Sequence, residues 1–144
     1  MNASKKNNLK EITEQLDCGF RAFMHKISGD LLFVPDTNNY PDIDTEAWES
    51  ELEILENNFT DYYEIEKMIS SEAFEVMADF TEQLTENKQL QRRLTEALNK
   101  KKPFREFKFV IDNSGDFRQQ WFDFKLQKQM DSVERQLRTL KLGE

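Results

Sequence analysis

The chain has 144 residues, a third of them charged, and a formal net charge of −8. That length suits one domain of 1–144, and its twelve Phe, two Trp and three Tyr exclude a disordered acidic chain. Cys18 is the sole cysteine, which excludes an internal disulfide and points to a reducing compartment.

Met1 to Lys10 is polar, so no secretory leader is expected. No apolar run approaches the roughly 18 residues of a membrane span, and a cytoplasmic protein is expected. Leu9, Ile12 and Leu16 share one face of a short first helix, which Gly19 ends. Phe20 to Lys26 alternates, Ser28-Gly29-Asp30 is a turn, and Leu31 to Val34 is a second apolar run; together they predict a β-hairpin. Pro35 to Pro41 reads as a loop.

Trp48, Leu52, Leu55 and Phe59 predict an amphipathic helix capped near Asp44 or Thr45. Tyr62 to Glu66 alternates as a third short strand would. Ser70 or Ser71 is the expected cap of a helix carrying Ala73, Met77, Phe80 and Leu84. A further helix carries Leu90, Leu94, Ala97 and Leu98 and stops before Pro103. Phe104, Phe107 and Ile111 suit a helix with Pro103 at its first position, whereas Phe107, Phe109 and Ile111 suit a strand; helix is preferred. After the turn Asp112 to Gly115, Asp116 and Gln119 resemble a capping box opening the longest helix, about 117–140. Its apolar stripe is Phe122, Leu126, Met130, Val133, Leu137 and Leu140, broadened by Trp121 and Phe124.

Charge divides the chain into a hairpin and first helix (1–35), an acidic helical segment (36–86) and a basic helical segment (87–144). The second holds 16 acidic residues against Lys67 alone, a net of −15; the third holds 14 basic and 8 acidic residues, a net of +6. The helices either side of Glu86 and Lys88 are expected to be neighbours, with acids of one facing bases of the other.

One histidine, His25, and one cysteine cannot supply the three or four ligands of a zinc site, and no cofactor is implied. The spacing of Asp42 and Asp44 lacks the rest of a calcium loop. Glu106-Phe107-Lys108 and Asp123-Phe124-Lys125 have an acid-x-Lys spacing used by some nucleases, but such triplets arise by chance in a chain this charged. No nucleophile elbow, phosphate loop or dinucleotide fingerprint is present. The most informative stretch is Arg92 to Lys108, where seven basic residues surround Phe104 and Phe107. It suits single-stranded nucleic acid or another anionic partner. The preferred reading is a solvated helix end, where Lys100, Lys101 and Lys102 oppose the C-terminal dipole and the phenylalanines are core, since the overall acidity opposes attraction to nucleic acid.

Several stretches resemble a known family: Glu14 to Phe20, the hairpin through Asp36, Glu64 to Met68, Ser70 to Phe74, Lys102 to Lys108, and Trp121-Phe122. Together they resemble the uncharacterised bacterial protein family UPF0158 over nearly the whole chain, most specifically at Pro103-Phe104-Arg105-Glu106-Phe107-Lys108. The resemblance implies a bacterial cytosolic protein and helix at 103–111. It carries no activity, cofactor or partner.

The expected fold is α+β and mainly helical, with five or six helices packed on a small antiparallel hairpin or sheet near the N-terminus. The first functional expectation is a non-enzymatic module that holds a protein partner, using the acidic surface or the region of Arg105, Lys108 and Trp121. The alternatives are a nucleic-acid-binding protein using residues 92–108, and an enzyme with dispersed polar catalytic residues. The oligomeric state is open.

Overall fold

The structure, a computed structural model, describes residues 3–142. It is 63% helix and 11% strand, a mainly helical α+β fold. The chain forms two compact units, residues 1–67 with 130–144, and residues 68–129.

In the first unit, helix α1 (Ala3–Asp17) buries Leu9, Ile12 and Leu16 and packs on strand β1 (Phe20–His25). Thr13 is also buried there, its Oγ1 donating to the carbonyl of Leu9 at 2.8 Å. That bond satisfies the hydroxyl and lets a polar residue sit among apolar ones. Gly19 reverses the chain at φ +91, and a Cβ there would lie 3.0 Å from Cε2 of Tyr40.

Strand β1 is central. It pairs antiparallel with β2 (Leu31–Pro35) and with β3 (Tyr62–Ile65), in the order β2-β1-β3. Ala22 stands opposite Phe33 and Ile65, and Phe23 opposite Leu32 and Glu64, so alternate residues mark the two faces. On the Phe23 face lie Val34, Leu32 and Tyr62, covered by Leu52 and Leu55 of helix α2 (Glu49–Asn57). Ala22, Met24 and Ile65 are buried on the other face. Two covered faces explain why three successive residues, Ala22, Phe23 and Met24, are all buried.

The sole histidine builds the hairpin turn. Nδ1 of His25 accepts from the backbone N–H of Ile27 (3.1 Å) and of Ser28 (3.2 Å), and its ring meets Tyr62 edge-on at 5.1 Å.

The expected helix over Trp48 to Phe59 is shorter than its apolar spacing. It enters through a 3-10 turn (Glu46–Trp48), where Asp44 Oδ1 accepts from the N–H of Glu46 at 2.9 Å. A second 3-10 turn follows at Phe59–Asp61 and leaves Phe59 60% exposed.

In the second unit, helices α3 (Ser70–Gln83), α4 (Lys88–Leu98) and α5 (Pro103–Asp112) pack with the first half of α6 (Phe117–Leu142). Their core holds Met77, Phe80, Leu84, Leu90, Leu94, Ala97, Phe107, Ile111 and Trp121. Pro103 opens α5, where its missing N–H is no loss, and 103–112 is helix throughout. Phe107, Val110 and Ile111 face inward; Phe104 does not.

Two expected caps differ. Ser70 is already helical, and Ile69 holds the cap position without a side-chain bond. Gln119 donates forward to Asp123 Oδ1 at 2.9 Å instead of back toward Asp116, so no capping box forms. Asn87 caps α4, its Oδ1 accepting from the N–H of Leu90 at 3.1 Å. Helices α3 and α4 are packed neighbours, as their charges suggested. Among the described residues no ion pair joins them; instead Nε2 of Gln91 donates to the carbonyls of Thr81 and Glu82, each at 3.0 Å.

Candidate interaction surface

Helix α5 turns its buried side inward through Phe107, Val110 and Ile111; a 100° step per residue places Arg105, Lys108 and Phe109 on the outer side and Phe104 at its edge, next to Ile111. All four are exposed, Phe104 by 46% and Phe109 by 65%. Phenylalanine has no polar atom to reward exposure, so two exposed on one short helix are a feature to explain. The cations Arg105 and Lys108 lie between them around the helix.

These cations meet acids of their own helix. Lys108 Nζ binds Asp112 Oδ2 at 2.8 Å, and Arg105 binds Glu106 Oε1 at 3.2 Å. Asp112 also receives Arg118 at 3.1 Å. Bonds from Lys108, then Arg118, hold its carboxyl below the usual carboxylate range. Lys101, Lys102, Arg92 and Arg93 are exposed with no acid partner among the described residues. The unpaired cations of the basic stretch thus lie before α5 and on α4, while the two on α5 itself are paired.

Trp121 is not part of this surface. It is 8% exposed, and its ring packs edge-on against Phe107 at 4.9 Å and Phe80 at 5.3 Å. Phe80 also meets Phe124 at 5.4 Å. The structure brings Arg105 and Lys108 to one exposed face and assigns Trp121 to the core beneath. Phe109, which sequence reasoning placed only in the discarded strand phase, joins them instead.

The first unit carries a cleft of about 400 Å³ beside the end of the sheet, lined among others by Phe20, Arg21, Asp36, Tyr40, Glu64 and Lys67. Arg21 makes a bidentate pair with Glu64, both bonds at 2.9 Å, and lies 5.1 Å from the centre of the Phe23 ring. The bond to Glu64 holds the Arg21 guanidinium above its ordinary value. Asn39, donating at 2.6 Å, leads the causes that hold the Asp36 carboxyl below its own. Both groups are thus held in their charged forms, which suits charge pairing better than proton transfer.

Cys18 is exposed. Among the described residues, no three His, Cys, Asp or Glu side chains converge as a metal site, and no helix is long and apolar enough to cross a membrane.

The family model described as uncharacterised protein family UPF0158 matches residues 4–142, and the chain belongs to that family. No curated protein and no solved structure matches it.

Proposed function

For this member of UPF0158, we propose a non-enzymatic interaction module of the bacterial cytosol that holds a protein partner on the outer face of α5. The observation that carries the reading is the pair of exposed phenylalanines, Phe104 and Phe109, with Arg105 and Lys108 between them. Aromatic side chains that give up water on docking supply most of the energy of a protein contact, and flanking cations select an acidic partner. The single, exposed thiol of Cys18 supports a reducing compartment.

Nucleic acid would use the same aromatics and cations. It is the weaker reading because residues 68–129 hold 11 basic and 10 acidic residues, a net of only +1. Long-range attraction to phosphate needs a larger positive field.

The test compares wild type with Phe104→Ser/Phe109→Ser and Arg105→Glu/Lys108→Glu. Each is used to capture proteins from cytosolic extract with and without nuclease treatment, beside a melting curve. The expected result is one identified set of acidic proteins held by wild type and lost by both variants, with melting temperatures nearly unchanged. Retention by both variants overturns the reading, as does loss of every bound species on nuclease treatment.

A further inference from the structure

The acidic segment carries a surface that mirrors the α5 face. Helix α2 buries Leu55, and its outer side presents Glu49, Glu53, Ile54 and Glu56 to solvent, with Glu46 before it and Phe59 after it. Ile54 is 42% and Phe59 is 60% exposed. None of Glu46, Glu49, Glu53 and Glu56 has a cation partner among the described residues. On α5 the order is reversed in sign: two exposed phenylalanines flank Arg105 and Lys108, and just before the helix Lys101 and Lys102 have no acid partner among the described residues.

We propose that the occupant of the α5 face is the α2 face of a second copy of this chain, Glu49, Glu53 and Glu56 meeting Arg105, Lys108 and the lysines before α5 while Ile54 and Phe59 cover Phe104 and Phe109. This rests on the reading of α5 as a docking surface and names its partner. Both faces are exposed on the single chain, and each supplies the charge and the apolar cover that the other lacks. The net charge of −8 on each copy does not prevent the contact. At physiological ionic strength, charges more than roughly 8 Å apart are largely screened, so local complementarity decides. A nine-residue helix against a ten-residue helix is a small contact. It falls below the roughly 1,000 Å² of a lasting interface, so association depends on concentration and salt.

The experiment is sedimentation equilibrium on the full chain over a wide concentration range. Wild type is expected to self-associate, about tenfold more weakly at high salt than at low. Arg105→Glu/Lys108→Glu and Glu49→Lys/Glu53→Lys are each expected to be monomeric and to melt cooperatively, at most a few degrees below wild type. Mixed, they are expected to associate again, because each then meets a face of opposite sign. Phe104→Ser/Phe109→Ser is expected to be monomeric alone and in mixtures with itself at any salt. A monomeric wild type throughout the range overturns the proposal, but leaves standing the capture of another protein on α5. Charge variants that still self-associate, or fail to associate when mixed while remaining folded, overturn it as well.

Discussion

The side-chain amide of Gln136 answers both backbone groups of Glu66: its Oε1 accepts from the N–H at 2.9 Å, and its Nε2 donates to the carbonyl at 2.8 Å. A neighbouring strand would offer the same donor and acceptor. Gln136, seventy residues on in helix α6, thus finishes the edge just past β3, where unpaired groups otherwise invite another chain. Gln136→Ala is expected to cost about 1 kcal/mol, and Gln136→Glu slightly more, because its carboxylate faces the Glu66 carbonyl. Urea melts of both variants check this, and values indistinguishable from wild type would refute it.

Trp121 and the exposed pair on α5 should behave as opposites. Trp121→Ala removes the ring that packs on Phe80 and Phe107, and a loss of about 3–5 kcal/mol is expected. Phe109→Ser, on a side chain 65% exposed, is expected to stay within about 0.5 kcal/mol of wild type. Thermal melts of the two variants decide whether the division between core and surface is right.

The Arg21–Glu64 pair joins the first and third strands through two parallel bonds, with each side chain about one third exposed. Solvent screening limits its worth, and a double-mutant cycle with Arg21→Ala and Glu64→Ala is expected to return a coupling of about 1 kcal/mol. A coupling near zero would mark the pair as a crystal-like surface contact without energetic weight.

Asp112 sets a pH dependence. Its carboxyl is held below the ordinary value by Lys108 and Arg118, so the unfolded chain binds its proton more tightly than the folded one. The stabilisation is present above the unfolded value of about 4 and fades as pH falls through the lower folded value. The stability gap between wild type and Asp112→Asn is expected to be constant at neutral pH and to close below about pH 4. A gap that widens on acidification would reverse the assignment.

Much of the fold was legible because helical spacing survives in single segments: Met77, Phe80 and Leu84 were placed in the core from their steps alone. The third strand was legible for a similar reason, its alternation of Tyr63 and Ile65 against Tyr62 and Glu64. Where apolar residues crowd, phase is lost. Five of the eight residues from Phe104 to Ile111 are apolar, so either Phe104 or Val110 could complete the inward face with Phe107 and Ile111. The fold chose Val110. Trp121 likewise sat beside Phe122, and one step around the helix separates a core residue from a half-buried one. The Arg21–Glu64 and Gln136–Glu66 bonds left no trace in the sequence, since they depend on strand register and on segments 43 and 70 residues apart.

The first unit is interrupted: its chain leaves after Lys67 and returns at Met130, bringing the buried residues Met130, Val133 and Leu137. During synthesis, which adds residues at about 5–20 per second, the intervening 62 residues therefore emerge, and can fold, before the first unit is complete. For several seconds the nascent sheet waits without Gln136 at the end of β3. A ribosome-associated chaperone would have its longest opportunity in that interval, and a chain truncated before residue 130 would never leave it.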